Sequence, residues 1–273
     1  MTLVRARNGD DYAADFSTGR MLPSRDLEHA GGMSPVESAV LKTNEVHVWE
    51  TSSDVAAARL ATLRDVLPAE ELSRSHTYRF QDDRRRFIVT RGLLRTILAR
   101  YLRANPKELY FTVSETGKPE LHPDLHSGIR FSLSYCADRA VFALSQDCDV
   151  GVDFEQVRAD FPLDCVEELF FSDQEQAILS SLPDCLRYRA FFGYWCRKEA
   201  LLKALGYGLP LGLHRPEVST SLGGPGRLLS TLREALETQK WALIDLAVGN
   251  GYQGAVAVKM PAPTLKYCDA SEV

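Results

Sequence analysis

Apolar and polar positions alternate along "EVHVWE" (45–50), with Val46 and Val48 on one face, the period of a strand. A helix is expected around residues 54–66, and "LPAEELSRSHTYRF" starts a second. In "RRRFIVTRGLLRTILARYL" (84–102) the period changes. Phe87, Leu94, Ile97, Leu98 and Tyr101 recur at helical spacing and predict a long amphipathic helix. "ETGKPEL" reads as a loop, and "IRFSLSY" with "RAVFALS" as a hairpin about Cys136–Asp138. Further on, "DVGVDFE" has the look of a buried strand, and "FFSDQEQAILSSL" carries a capping box in Ser172 and Glu175. "YRAFFGYWCRKEALLKALG" (188–206) predicts a second long helix closed by Gly206. "WALIDLAVGNGYQGAVAVKM" predicts two strands joined around Asn250-Gly251. Residues 1–43 show no period and are rich in Gly, Ser, Asp and Arg, so a mobile extension is expected there.

The two halves of the pattern echo each other. Shifted by 104, "VHV" falls on "VGV" and Glu71 on Glu175. Shifted by 108, "FIVTRGLLRTIL" falls on "WCRKEALLKALG", with Arg95 on Lys203. The order of elements repeats as well. The expected fold class is therefore α+β, a pseudo-twofold duplicated α/β unit with a ligand cleft between the halves. The divisions are an extension (1–43), an N-terminal half (44–147), a C-terminal half (148–261) and a tail (262–273).

Composition narrows the function. The 273 residues are 45% apolar, enough for a substantial core. A formal net charge of −5 argues against nucleic acid as a partner of the whole protein. No apolar run approaches the roughly 20 residues of a spanning helix, so no membrane is expected. The start "MTLVRARNGDDYAADF" lacks the apolar stretch of a secretory signal. Six scattered cysteines without C-x-x-C suggest reduced thiols and a cytoplasmic protein.

Chemistry concentrates in two places. Asp153 and Glu155 are two apart on one strand, so they share a face opposite Val152 and Phe154. Two close carboxylates repel, and a hard divalent cation such as Mg²⁺ relieves the repulsion. A strand end with both acids in water, or paired to arginines, is the plainer alternative. Glu199 and Lys203 are four apart on the second long helix and share a face; alone they are an ordinary helical ion pair. With Trp195, Lys198 and the strand acids nearby, they suit a magnesium-bound diphosphate.

"VGVDFE" followed by "WCRKEALLK" resembles the paired signature of the 4′-phosphopantetheinyl transferases, G-[IV]-D-x-E and [FW]-x-x-K-E-[AS]-x-x-K. "RRRFIVTRGLLR" and the loop Gly117-Lys118-Pro119 are similar to features of the larger, surfactin-type class, a pseudo-dimer in one chain. The resemblance covers roughly residues 45–260. It implies Mg²⁺-dependent transfer of the 4′-phosphopantetheine arm of coenzyme A to a serine of an apo acyl or peptidyl carrier protein, with release of 3′,5′-ADP. It also implies that Asp153, Glu155 and Glu199 hold Mg²⁺, and that Glu199 deprotonates the serine. Lys198 and Lys203 would serve the phosphates. Gly117, Lys118, Pro119, Arg86, Ser134 and Tyr135 would serve coenzyme A. A chain already containing both halves need not dimerise, so a monomer is expected. Carriers of fatty-acid, polyketide and peptide synthesis all remain open.

The chain departs from the resemblance at "FSLSY" (131–135), where the family usually has F-N-[IL]-S-H. Ser132 replaces the asparagine, and Tyr135 replaces a histidine that contacts coenzyme A phosphate. Tyrosine donates a hydrogen bond but brings no positive charge. Arg130 or Arg139 are candidates to compensate. A non-catalytic relative binding coenzyme A or a carrier protein is the alternative reading. Of Arg84, Arg85, Arg86, Arg91 and Arg95, at least half are expected to form a solvated, ion-paired face. "LHPDLH", with His122, Asp124 and His126, reads as a turn. Cys196 and Trp195 read as packing, and Phe170 and Phe171 as core or a hydrophobic ridge with a possible carrier-docking role.

Overall fold

The computed structural model describes residues 40–115, 117–206, 217–218, 228–230 and 240–273. Nearly all of the expected N-terminal extension lies outside the described residues. Strand β1 (Glu45–Ser52) is followed by helices α1 (Ala57–Asp65), α2 (Ala69–Ser75) and α3 (Gln81–Leu102). The short pair β2 (Phe111–Val113) and β3 (Pro119–Leu121) precedes the hairpin β4 (Ile129–Cys136) and β5 (Arg139–Gln146). Then come β6 (Val150–Gln156), α4 (Leu163–Phe170), α5 (Asp173–Ser181) and α6 (Asp184–Leu205). The last strands are β7 (Glu217–Val218), β8 (Leu228–Ser230), β9 (Ala242–Asp245), β10 (Tyr252–Val258) and β11 (Thr264–Asp269).

Two larger sheets form, ordered β11-β1-β5-β4 and β6-β10-β9. Alternation sorts their side chains. In the first sheet Trp49, Ala140, Phe142 and Leu144 pack with Val89, Leu93 and Ile97 of α3. Val46, Val48, Val141 and Ala143 turn the other way. There they meet Val150, Val152, Phe154, Val256 and Val258 of the second sheet in a shared apolar layer. The opposite face of the second sheet packs on α6 through Leu243, Ala255 and Ala257. The layers are therefore helix, sheet, sheet, helix.

The period-two reading of Val46 and Val48 holds, but the other face of β1 is buried too. Glu45 and His47 lie there beside Trp49. These polar groups are satisfied locally: His47 bonds Tyr101 (2.7 Å) and Glu45 (3.2 Å), Trp49 donates to Tyr101 (3.0 Å), and Lys266 pairs with Glu45 (2.9 Å). Glu45 is driven to about 2 because its lysine and histidine partners outweigh the cost of burial. Lys266 belongs to β11, which pairs in parallel with β1. The stretch set apart as a tail thus completes the first sheet.

Both long helices are 22 residues, and both end on a left-handed residue, Arg103 (φ 51°) and Gly206 (φ 76°). Their bounds lie 103 positions apart, 81 and 184, 102 and 205, not the 108 of the sequence echo. In the buried ion pairs the basic partners Arg95 and Lys198 lie 103 apart, and the acids Glu71 and Glu175 lie 104 apart, as in the first sequence echo. Glu71 of α2 binds Arg95 (2.7 Å) and Arg91 (2.6 Å) of α3, while Glu175 of α5 binds Lys198 of α6. Arg95 is thus the counterpart of Lys198, not of Lys203. The expected capping box of Ser172 and Glu175 is formed in both directions.

Removing Glu71 strands the Arg95 guanidinium in a nearly dry site. Glu71→Ala is expected to cost about 3–5 kcal/mol, as for other broken buried pairs, read as a lowered urea midpoint at neutral pH. A midpoint within experimental error of the parent's would show that this pair does not hold α2 to α3.

Candidate active site

Residues on one face of β6 meet one face of α6. Gly151, Asp153 and Glu155 alternate toward the helix, and Gly151 allows the contact. A Cβ there would fall 1.9 Å from the Ala200 carbonyl oxygen and 2.4 Å from the Ala204 nitrogen. Helix and strand backbones therefore touch, and Glu199 and Lys203 are carried onto the acids. Lys203 Nζ lies 2.7 Å from Asp153 Oδ1, 3.2 Å from the Val152 carbonyl and 3.2 Å from Ser134 Oγ. Ser134 donates to the same Asp153 oxygen at 3.0 Å.

The other carboxylate oxygens are less well served. Among the described residues, Asp153 Oδ2 and Glu199 Oε1 are buried without a hydrogen-bond partner. The titration of the acids reflects this crowding. Burial, and then the charge of Asp153, push Glu199 up to about 8 and Glu155 up to about 7, with Lys203 opposing both. Lys203 is itself raised: burial works against its charge, but Asp153 and Glu199 outweigh it. Two thiols border the acids, Cys136 beside Glu155 and Cys196 beside Asp153. Burial raises both, Cys136 to about 12, so they remain protonated.

The edge of β6 away from β10 faces β4 and is held by side chains. Ser132 Oγ accepts the Val152 N–H at 3.1 Å, and Cys136 Sγ accepts that of Gln156 at 3.3 Å. The Val150 carbonyl accepts Lys118 Nζ at 3.0 Å. Lys118 stands in the β2–β3 turn, where Gly117 takes φ 91° and so fits glycine. Its ammonium also reaches the Ala204 carbonyl, at 3.2 Å. Burial lowers the Lys118 pKa.

The structure thus brings Asp153, Glu155, Glu199, Lys203 and Ser134 together. It takes Lys198 elsewhere: the ammonium is fully buried, pairs with Glu175, and donates to the Phe170 carbonyl at 3.0 Å. Phe171 is buried beneath it. Tyr135 points toward α3, where the Arg86 guanidinium lies 5.7 Å from its ring centre. Arg130 pairs with Glu120, and Arg139 with Glu50. Arg139 also covers Phe154 and Tyr252. Of the other arginines, Arg91 and Arg95 are committed to Glu71, and Arg85 to Asp54. His122 and Asp124 share a single turn of 3₁₀ helix. Among the described residues, no three His, Cys, Asp or Glu side chains enclose a metal site unaided. Sequence reasoning did not assign Gly151, although a glycine inside a strand signals close approach. Nor did it assign Cys136 or Ser132 to the β4–β6 seam, which only the packing of distant segments creates.

A family model described as "4'-phosphopantetheinyl transferase superfamily" matches residues 149–257. A second, "4'-phosphopantetheinyl transferase, N-terminal", matches 49–147. The chain is 33% identical over 233 residues to the 4′-phosphopantetheinyl transferase HetI of Nostoc sp., covering 85% of this chain and 94% of the relative. It is 30% identical over 210 residues to the 4′-phosphopantetheinyl transferase psf-1 of Bacillus pumilus, covering 76% and 85%. A human relative, named L-aminoadipate-semialdehyde dehydrogenase-phosphopantetheinyl transferase, is 25% identical over 218 residues, covering 74% and 70%.

The raised acids carry a pH signature. A carboxyl that binds its proton more tightly when folded contributes destabilisation as pH rises from its ordinary 4.5 through its folded value of about 7 or 8. His47, lowered from 6.5 chiefly by burial, acts oppositely below that value. In metal-free protein, stability from these groups is therefore expected to fall between about pH 6.5 and 8, and Glu199→Gln should flatten the fall. Chemical denaturation across that range tests it; equal slopes for parent and variant would contradict the assignment.

Proposed function

Because this chain belongs to the 4′-phosphopantetheinyl transferase superfamily, we propose that it transfers the phosphopantetheine arm of coenzyme A to a serine of an apo acyl or peptidyl carrier protein, releasing 3′,5′-ADP. Within the superfamily we read it as the surfactin-type class, two similar halves (44–147 and 148–261) in one chain. Supporting this are the equal long helices and the matching rivets Glu71–Arg95 and Glu175–Lys198.

The observation that carries the reaction is the pair of partnerless buried oxygens, Asp153 Oδ2 and Glu199 Oε1, beside Glu155. This donor set suits a hard divalent cation. Mg²⁺ commonly takes only one or two carboxylates and completes its shell with phosphate oxygens and water, so no closed protein cage is required. Asp153, Glu155 and Glu199 are the residues that would hold it. Once bound, the ion would neutralise charge on the diphosphate.

The chain's own groups do the rest. Glu199 accepts the proton of the carrier serine, directly or through a water. The serine oxygen attacks the β-phosphorus, a new P–O bond forms, and the bond to 3′,5′-ADP breaks. The Lys203 ammonium stands by the acids to stabilise the departing phosphate. Ser134 shares Asp153 with Lys203 and fixes the carboxylate's orientation. At "FSLSY", the Arg86 guanidinium over the Tyr135 ring, shared with Asp83 at 3.4 Å, would bring positive charge where tyrosine brings none. Gly117 and Pro119 offer backbone to the nucleotide end.

Intact-mass spectrometry of an apo carrier protein, incubated with this protein, coenzyme A and Mg²⁺, should show a gain of one phosphopantetheine arm that EDTA abolishes. Asp153→Ala and Glu199→Gln should each lower the rate by at least about a hundredfold while the protein stays folded. Parent-like rates in either variant would defeat the proposed site. Failure of the parent across a panel of carriers, with coenzyme A still bound, would favour a non-catalytic binding module.

A further inference from the structure

Lys118 lies far in sequence from both motifs, yet its ammonium ends between them. It bonds the Val150 carbonyl at 3.0 Å, one residue before Gly151, and the Ala204 carbonyl at 3.2 Å, one residue after Lys203. Each element joined here carries part of the site. Val150 opens the strand of Asp153 and Glu155, and Ala204 lies in the last turn of the helix of Glu199 and Lys203. The last four carbonyls of a helix have no partner within it, and a lysine is a suitable cap for them. Lys118 therefore caps α6 from outside the helix and bolts it to β6. It does so where Gly151 brings the two backbones into contact. The turn bearing Lys118 is itself constrained: its N–H bonds Ser114 Oγ at 3.0 Å, its carbonyl accepts the Ser114 N–H at 2.9 Å, and Gly117 holds positive φ. The turn between β2 and β3 thus ties strand β6 to helix α6.

We infer that Lys118 is a positioning residue for the transfer reaction, holding the last turn of α6 against β6 so that Lys203 and Glu199 stay in register with Asp153. Two of the three hydrogens its ammonium can donate go to backbone carbonyls of these two elements. Shifts of an ångström in such a cluster suffice to slow a reaction governed by placement.

The test compares the full-length parent with Lys118→Met, which keeps the aliphatic stem and loses the donors, and with Lys118→Arg, which restores donors. Hydrogen–deuterium exchange over residues 199–206 is the first readout. It is expected to rise in Lys118→Met and to return toward the parent in Lys118→Arg. The kinetic arm rests on the proposed transferase activity: kcat for carrier modification should fall about tenfold or more in Lys118→Met. The coenzyme A dissociation constant, measured by calorimetry, should move less than about threefold, because the lost interaction is not with the ligand. If Lys118→Met does not fold, Lys118→Gln, which retains a shorter donor, is read in the same way. Unchanged exchange with coenzyme A binding weakened about tenfold would overturn the inference and make Lys118 a ligand contact. Unchanged exchange and unchanged kcat would overturn it as well. A parent that modifies no carrier would sink the transferase reading, and the exchange arm would still decide whether Lys118 holds the helix.

Discussion

Strand β6 has β10 along one edge and a row of side chains along the other. Backbone amides and carbonyls withdrawn from water must be bonded, and an unfilled strand edge ordinarily invites another strand. Here Ser132, Cys136, Lys118 and Lys203 take up that role. They come from three places: the first two from β4, the third from a hairpin turn, the fourth from α6. The strand that carries the acids is therefore the line on which these elements meet, and its position depends on all of them at once.

The seam concentrates charge in a way a stability argument alone would not favour. Asp153 and Glu199 are buried with Glu155 and Lys203 half-buried beside them, and among the described residues one oxygen of Asp153 and one of Glu199 go without partners. Among the described residues several other buried charges are matched closely, although Glu167 Oε1 is likewise buried without a hydrogen-bond partner. Glu71 is shared by two arginines, Glu175 is met by Lys198 and by the Val218 amide, and Glu45 has His47 and Lys266. What marks β6 is the crowding of Asp153, Glu155 and Glu199 around the single ammonium of Lys203. Excess negative charge there is what a bound cation would relieve.

Much of this was legible from residue order. Period two put Asp153 and Glu155 on one side, and helical spacing put Glu199 and Lys203 on another. The capping box and Gly206 marked helix ends correctly because capping is local chemistry. The 108-residue echo misled because an amphipathic stripe looks alike at several registers. Only the destinations of Arg95 and Lys198, set by packing against α2 and α5, single out the offset of 103. The resemblance gave Lys198 to the phosphates and Lys118 to coenzyme A; their protein partners lie on segments 23 to 86 residues away, which no local pattern reports. The C-terminal strand escaped notice because "TLKYCD" alternates too briefly to stand out.

That strand has a consequence for how the molecule is made. β1 pairs on one side with β5, and on the other with β11, whose Thr264 lies opposite Glu45. A nascent chain emerges from the ribosome in order, so β1 and β5 can join while one flank of β1 stays open through synthesis of the entire second half. Contacts of such sequence separation form late and slowly. During that interval the exposed flank carries Glu45 and His47, with Lys42 nearby, and a charged flank discourages pairing with neighbouring nascent chains. Only after α6 and β10 have been made does Lys266 reach Glu45. The first half is thus the first to be translated and among the last to be finished.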